Sequence, residues 1–267
     1  MFNTPKIGII GLGFVGNAVR DAMELHCSLV LVDKDITRGP NTFADLQECE
    51  GIFVCVPTPQ NDDGTCDTSA LESVLDQLKD FEGVIISKCT APPLVYKALN
   101  EKYKNLVHAP EFLTAANARQ DYRGGQFAFI GGRIRAYMNQ ARDIIKWGQP
   151  NIENNTIFCT IEEAALAKYT INTFLATKVS FMNEIYNLCQ SMGADYNNVA
   201  RMVMCDTRIG QSHMQVPGPD GQFGFGGMCF PKDAAALLKF ADENKVQMNV
   251  LDSAVKKNTL LRLQNSK

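Results

Sequence analysis

The chain has 267 residues, of which 45% are hydrophobic and 21% charged, and its formal net charge is −3. This length accommodates one large domain or two modest ones, and the composition is that of an ordinary globular protein. Lysine and arginine do not cluster, which argues against nucleic-acid binding, and no stretch approaches the ~18 apolar residues of a membrane span.

The first half of the chain alternates short apolar segments with segments of helical periodicity, such as 68-TSALESVLDQLKDF-81. The opening segment is broken by glycines and has no cleavage site, so we expect no signal peptide. The alternation predicts an α/β fold, with a Rossmann-type, doubly wound parallel sheet over residues 1–160. The predicted strands are Lys6–Ile10, Leu29–Val32, Ile52–Val56, Val84–Ser87, Leu106–His108, Phe127–Ile130 and Thr156–Cys159.

A glycine fingerprint, 11-GLGFVG-16, follows the first predicted strand and precedes a helix that we expect to begin near Asn17. In this context the first glycine makes a tight turn, the second admits a pyrophosphate and the third lets the helix pack on the strand. Asp33 ends the second strand, where a carboxylate accepts from ribose hydroxyls and disfavours the 2′-phosphate of NADP. The sequence therefore predicts NAD; the alternative is a tight turn without a ligand. The fingerprint residues are Gly11, Gly13, Phe14, Val15, Gly16, Asp33 and Lys34.

Short polar side chains also follow other predicted strands: Pro57 and Thr58, then Thr90, then Glu111. The carboxyl ends of parallel strands line the ligand crevice of a doubly wound sheet. Each residue taken singly is also typical of a turn or a helix cap. Their joint placement predicts that they contribute to one ligand-binding edge.

Beyond residue 160 the pattern changes, because residues 161–192 contain neither proline nor glycine. Their apolar residues cover more than one helical face, which predicts a buried helix at the centre of a helical domain over 161–267, or a dimer interface. Shorter helices are predicted near 197–205 and 234–263. The glycine- and proline-rich segment 216-VPGPDGQFGFGG-227 is predicted to be one long loop between them.

Two polar residues on the long helix, Lys168 and Asn172, are four positions apart and therefore share a face. Their neighbours are mostly apolar or small, and a buried lysine and amide are costly unless they bind something. The alternative is a lysine that extends to solvent at the rim, with the asparagine capping a loop.

Cys229 is the strongest candidate nucleophile among nine cysteines, whose odd number and lack of a CxxC pair argue against a disulfide framework or a zinc site and for a reducing cytoplasm. It lies in 224-GFGGMCFPKD-233, where Pro231 suits the first turn of a helix. Just before a helix N-terminus, the helix dipole lowers the pKa of a thiol and so favours the thiolate. Lys232 adds to that effect, and Asp233 is placed to orient partners by hydrogen bonding.

These segments together resemble the UDP-glucose/GDP-mannose 6-dehydrogenases. The matching pieces occur in family order over nearly the whole chain: GLGFVG, VPTP at 56–59, SKCTAP at 87–92, APEFL at 109–113, AKYTINTFLATKVSFMNE at 167–184, DTRIG at 206–210 and GFGGMCFPKD at 224–233.

The resemblance implies that the chain oxidises the C6 alcohol of a nucleotide sugar to a uronate, using two NAD in succession, with UDP-glucose as the first candidate substrate. It implies that Cys229 forms a thiohemiacetal and then a thioester. It implies that Lys168 and Asn172 stabilise the oxyanion, that Thr90, Glu111 and Asp233 position or activate water and the reacting groups, and that the 161–192 helix joins a homodimer. The substrate-side residues that it implies are Glu111, Phe112, Leu113, Lys168, Asn172, Arg208, Phe223, Gly224, Gly226 and Gly227.

Three departures from the family pattern accompany the resemblance. Ala109 replaces an asparagine, Ala115 replaces a second glutamate, and the sequence stops where the family continues into a nucleotide-binding domain. We therefore expect a partner chain to supply that domain, or a weaker hold on the substrate, or a smaller substrate. The alternatives are a two-domain β-hydroxyacid-type dehydrogenase, which needs no nucleophilic cysteine, and a catalytically silent NAD-binding subunit.

Overall fold

The computed structural model describes residues 4–114 and 117–264. The chain forms two compact units, Met1–Pro59 with Cys66–Lys168, and Gln60–Thr65 with Tyr169–Lys267. The boundary between the units falls inside the long helix. The predicted domain boundary after residue 160 stays a prediction.

The first unit contains a seven-stranded sheet with the order β2-β1-β3-β4-β5-β6-β7. Because β1 lies between β2 and β3, the chain winds outward in both directions from β1, which makes the sheet doubly wound, as predicted. Its strands are β1 Lys6–Ile10, β2 Ser28–Val32, β3 Gly51–Val54, β4 Val84–Ser87, β5 Leu106–His108, β6 Ala128–Gly131 and β7 Thr156–Cys159.

One strand pair corrects the expectation of a wholly parallel sheet. β5 and β6 pair antiparallel, with His108 opposite Gly131, whereas the other neighbouring strands of the sheet pair parallel. In its described residues, 109–114 and 117–127, the connection between β5 and β6 contains one helix, the six-residue α4 (Ala118–Arg123). A helix of that length is about 9 Å long, too short to return the chain to the opposite edge of the sheet. β6 therefore starts at the edge where β5 ends.

The remaining helices of the first unit pack against the two faces of this sheet. They are α1 Phe14–Met23, α2 Ser69–Gln77, α3 Pro93–Lys102 and α5 Arg135–Gly148, with short 3-10 helices at Ala44–Glu48 and Pro150–Ile152. One apolar cluster includes Phe53, Tyr122 and Ile144, and a second includes Ile52, Leu75 and Tyr96. β1, β3, β4 and β5 are buried along almost their whole length, as in parallel sheets covered on both faces.

Two element boundaries differ from the sequence-based expectations at the nucleotide-binding edge. α1 begins at Phe14 instead of near Asn17, because the Asn17 amide already donates to the Gly13 carbonyl at 3.1 Å. β3 ends at Val54 instead of Val56. Residues 55–59 therefore belong to the loop at the carboxyl end of that strand.

The second unit is helical, as predicted. It contains most of α6 (Ile161–Met192), then α7 Tyr196–Met204, α8 Phe230–Glu243 and α9 Asn249–Gln264. The segment predicted to be helical near 234–263 is divided into two helices, α8 and α9. The chain breaks after Glu243, and Lys245 adopts a φ of 59°, a left-handed conformation that ends helices. None of the helices within residues 4–114 and 117–264 is long and apolar enough to cross a membrane.

Candidate active site

The glycine fingerprint forms the turn between β1 and α1. Gly11 has a φ of 87°, and a Cβ at Gly16 would lie 1.8 Å from the Gly11 carbonyl oxygen, so neither position admits a side chain. A Cβ at Gly13 would instead meet no atom within 4 Å. The open space above the N-terminus of α1 fits a pyrophosphate, because the helix dipole and unpaired amides there attract anions.

Asp33 lies beside this turn at the end of β2. Its Oδ2 accepts a hydrogen bond from the Leu12 amide at 2.6 Å, and its Oδ1 accepts from the Asp35 amide at 2.9 Å. The carboxylate therefore fixes the glycine turn to the end of the second strand. Lys34 is exposed, as is Phe14 over 44% of its surface, whereas Val15 packs partly against the core.

Thr58 and Thr90 bring the ends of β3 and β4 together. The buried Thr58 hydroxyl donates to the Thr90 carbonyl at 2.6 Å, while Pro57 beside it is exposed. Thr90 itself is half-buried. β3 lies next to β1 in the sheet order, at the point where the winding direction reverses and where ligands bind in folds of this class, and β4 is the next strand outward.

Glu111 and Lys168 form a buried ion pair in the first unit. Their side chains are 11% and 6% exposed, and the Lys168 Nζ lies 3.4 Å from Glu111 Oε1 and donates to the Glu111 carbonyl oxygen. Glu111 Oε2 accepts from the Leu113 amide at 2.7 Å. The Lys168 ammonium also lies 5.0 Å from the ring centroid of Phe112. The alternative for this position was a lysine that extends to solvent. The structure shows instead that the Lys168 side chain is buried.

Asn172 and Asp233 form the corresponding buried pair of the second unit. Asn172 Nδ2 donates to Asp233 Oδ2 at 2.5 Å, and Lys232 Nζ lies 2.7 Å from Asp233 Oδ1. Asn172 is 7% exposed and Asp233 1% exposed. Asn172 therefore does not cap a loop. It fixes one turn of α6 to the first turn of α8.

Cys229 is the N-cap of α8, and Pro231 lies in the first turn of that helix, where the sequence predicts it. The thiol is on an exposed residue. α8 has 14 residues, and Asp233 lies one turn beyond Cys229. The contacts of Asp233 therefore fix the helix end that presents the thiol.

The segment before Cys229 is held through its backbone. Gly224 has a φ of 78°, its amide donates to Asn183 Oδ1 at 3.1 Å, and the Phe225 amide donates to Asn258 Oδ1 at 2.6 Å. Arg262 donates to the Phe225 carbonyl at 3.0 Å and to the Gly224 carbonyl at 3.0 Å.

Glycine is favoured at position 224, where the backbone is left-handed and a Cβ would lie 2.4 Å from Asn258 Oδ1. A Cβ at Gly226 would lie 2.4 Å from an Arg262 nitrogen, at the end of a flexible side chain. Gly227 has a φ of 76° and open space around it.

Two predicted substrate-side residues have partners within the second unit. The Arg208 side chain is 87% exposed and pairs with Asp206 in the same turn, at 2.6 Å. Phe223 packs on Tyr186, with ring centroids 5.4 Å apart. Ala109 is buried beside the sheet, and Ala115 lies outside the described residues. The roles of the predicted site residues stay predictions.

The sequence interpretation missed the polar residues that hold the glycine segment. Asn183 lies eleven positions after Asn172 on the same helix, and three helical turns place both on one face, so its spacing was a usable signal. Asn258 and Arg262 lie on α9 and approach the segment only through the fold. No spacing in the sequence connects them to Gly224.

Two domains of one protein family match the chain. "UDP-glucose/GDP-mannose dehydrogenase family, NAD binding domain" matches residues 39–147, and the central domain of the same family matches residues 162–260. The UDP-glucose 6-dehydrogenase of Rickettsia bellii (strain RML369-C) is 32% identical over 226 residues, which cover 80% of this chain and 50% of that protein. The chain spans 50% to 65% of the length of the first three curated relatives.

Solved structures show the same fold. A UDP-glucose dehydrogenase from Pyrobaculum islandicum superimposes with a TM-score of 0.81 at 24% identity, covering 97% of this chain and 68% of that chain. A 3-hydroxyisobutyrate dehydrogenase from Mycobacterium tuberculosis gives a TM-score of 0.73 at 15% identity, covering 95% and 92%. At these identities the likeness extends to the fold alone.

Proposed function

The chain belongs to the UDP-glucose/GDP-mannose dehydrogenase family and carries its NAD-binding domain, and from that premise we propose that it oxidises the C6 alcohol of a nucleotide sugar to a carboxylate. The first candidate reaction is UDP-glucose to UDP-glucuronate. The proposal depends most on one observation: Cys229 begins the helix whose Asp233 is bonded to Asn172, one turn after Lys168 on α6.

NAD, when bound, accepts a hydride in each of the two oxidations, and the turn at Gly11–Gly16 with Asp33 would hold it. The Cys229 sulfur adds to the C6 aldehyde to give a thiohemiacetal, whose oxidation leaves a thioester. Water then adds to the thioester carbonyl and displaces the thiolate, which releases the uronate. A covalently held carbonyl carbon cannot leave as free aldehyde between the two oxidations.

The polar residues supply charge and hydrogen bonds to these steps. Lys168 has three N–H donors and Asn172 has two, so each retains capacity beyond the bonds that it makes to Glu111 and Asp233. We assign them the oxyanion that forms when the carbonyl is attacked. Glu111, held by the Leu113 amide, is assigned the positioning of water, together with Thr90. Phe112 and Leu113 are assigned to the substrate.

A substrate panel tests this function. The protein is supplied with NAD and, separately, UDP-glucose, UDP-galactose, GDP-mannose, UDP-N-acetyl sugars and small hydroxyacids, and NADH is counted per product. We expect two NADH per uronate from one nucleotide sugar. One NADH from a hydroxyacid would instead support the β-hydroxyacid alternative, which the family match does not favour, and no NADH anywhere would support a silent NAD-binding subunit.

We also propose a homodimer through α6. Phe174, Phe181 and Leu188 are 66%, 58% and 55% exposed. They are spaced by seven residues, about two helical turns, so they form one apolar stripe. A stripe of large exposed apolar side chains marks an interaction surface.

A reducing cytoplasm, and a partner chain that supplies a nucleotide-binding portion, stay predictions.

Charged substitutions on this stripe are expected to separate the dimer. Phe174→Glu combined with Phe181→Glu would bury two unpaired carboxylates in a paired interface, which costs several kcal/mol. Light scattering during gel filtration should give a dimer mass for the wild type and a monomer mass for the variant. Leu25→Glu, which places the same charge on an exposed leucine of the first unit, is the matched control and should leave the dimer intact. A monomeric wild type would refute the proposal.

A further inference from the structure

A cavity of about 390 Å³ lies in the first unit, behind the segment 110–114. Its wall is formed by that segment, by α4 and the turn after it, and by the end of α5. Two polar side chains in this wall, Lys88 and Gln149, are at least nine-tenths buried, at 5% and 9% exposure. They come from separate parts of the chain, Lys88 directly after β4 and Gln149 directly after α5.

The Lys88 ammonium has aromatic neighbours and no polar partner. It lies 6.0 Å from the ring centroid of Phe53 and 5.6 Å from that of Tyr122. Among residues 4–114 and 117–264, no hydrogen bond or ion pair reaches its Nζ. A buried cation in this state is costly, and aromatic faces offset only part of the desolvation.

Gln149 presents a second unused donor to the same cavity. Its carboxamide lies against Gly125, where a Cβ would approach Nε2 to 3.1 Å. The described part of the chain contains no hydrogen-bond partner for this side chain. Glycine at position 125 thus leaves room for the amide, and the amide faces no group that uses its two N–H donors.

The acidic residues of the wall do not satisfy these donors. Glu111 accepts from the Leu113 amide and pairs with Lys168, and Asp121 Oδ2 accepts from both the amide and the hydroxyl of Thr114. Burial raises the pKa of the Cys55 thiol and of the Tyr122 phenol well above their usual ranges. Both groups are therefore neutral.

Among the described residues, no ionised acidic group contacts the Lys88 ammonium. His108 is also neutral, because burial lowers its pKa to about 3. Glu111 is paired with Lys168, and the Asp121 carboxylate accepts from Thr114, so neither carboxylate of the wall is in contact with the Lys88 ammonium.

We propose that the cavity binds an oxyanion, a carboxylate or a phosphate group, between the Lys88 ammonium and the Gln149 carboxamide. Ammonium and amide N–H groups together match the acceptor oxygens of such a group, and a lysine serves as a point charge for phosphate. The bound anion supplies the Lys88 ammonium with a counter-ion behind the segment that carries Glu111. The cavity shares Glu111, Phe112 and Leu113 with the proposed active site, but the inference itself requires neither NAD nor a nucleotide sugar.

The test titrates the protein without NAD, using inorganic phosphate and sodium acetate separately at constant ionic strength. Calorimetry measures affinity, and mass spectrometry after brief acylation measures the reactivity of Lys88 itself. We expect saturable binding of at least one probe, with protection of Lys88 at the same concentrations. The probe that binds more tightly identifies phosphate or carboxylate as the preferred source of the charge.

Lys88→Met should remove this binding, and Gln149→Met should weaken it about tenfold, the loss of one hydrogen bond to a charged group. Lys97→Met, at an exposed lysine of the same unit, is the control and should bind as the wild type does. The pKa of Lys88 is lowered to about 8 by burial. The anion affinity should accordingly fall as the pH rises above that value, where the ammonium loses its proton.

Three results would overturn the proposal. The first is no saturable binding of either probe to the wild type. The second is equal binding by the wild type and Lys88→Met, which would place the anion elsewhere, such as the glycine turn before α1. The third is binding without protection of Lys88. If Lys88→Met does not fold, two other experiments decide the outcome: the titration of Gln149→Met and the acylation of the wild type. Lys88 is present in both proteins.

Discussion

Cys229→Ala is expected to abolish uronate formation while NAD binding stays unchanged. The substitution removes the sulfur that forms the proposed thiohemiacetal, and loss of a covalent nucleophile lowers kcat by about a thousandfold or more. The N-cap residue makes no side-chain capping bond in α8, so the helix should persist. NADH release during turnover with the accepted nucleotide sugar gives the rate, and fluorescence titration gives NAD affinity.

Cys205→Ala is the matched control for this experiment. Cys205 is also an exposed cysteine of the second unit, at the end of α7. Its replacement should leave the rate of uronate formation unchanged. A Cys229→Ala protein that still makes uronate at the wild-type rate would remove this thiol from the mechanism.

Asp233→Ala is expected to destabilise the second unit and to reduce activity together. The carboxylate is 1% exposed and holds both Asn172 and Lys232. Removing it leaves a buried amide and a partly buried ammonium without their partner, a loss of about 3 kcal/mol in the free energy of unfolding. Urea denaturation followed by circular dichroism measures this loss.

Asp242→Ala controls for the removal of a carboxylate from the same helix. Asp242 is exposed near the end of α8, and we expect its replacement to change the free energy of unfolding by no more than about 0.5 kcal/mol.

Asn172→Ala completes a double-mutant cycle with Asp233→Ala, for which we expect a coupling of about 1–3 kcal/mol. Additive effects would show that the 2.5 Å contact contributes nothing of its own.

The fold was predictable from the sequence where local patterns decide it. β1, β4, β5 and β7 begin and end where the apolar runs do, and the long helix begins at residue 161 and ends one residue before Gly193. The antiparallel β6 was not predictable, because a short helix in the sequence does not reveal that the chain stays at one edge of the sheet. The break after Glu243 depends on the left-handed conformation of Lys245, which lysine rarely adopts.

The candidate site also has features that the sequence predicts and features that only the fold determines. The glycine turn, Cys229 at the start of α8, and the shared face of Lys168 and Asn172 follow from spacings of a few residues. The contacts of Glu111 with Lys168 and of Asn172 with Asp233 join residues 57 and 61 positions apart. Such pairings depend on tertiary packing. The burial of Lys88 likewise depends on tertiary packing, and no neighbouring residue in the sequence indicates it.

The backbone contacts of Gly224 and Phe225 have a consequence for protein engineering. Asn183, Asn258 and Arg262 hold main-chain amides and carbonyls, so the shape of this segment does not depend on the side chains at its surface. Exposed neighbours such as Met228, at 83% exposure, can then be varied in combinatorial libraries without loss of the loop conformation. The segment before the thiol is therefore suited to variation by directed evolution, with the three anchoring side chains left unchanged.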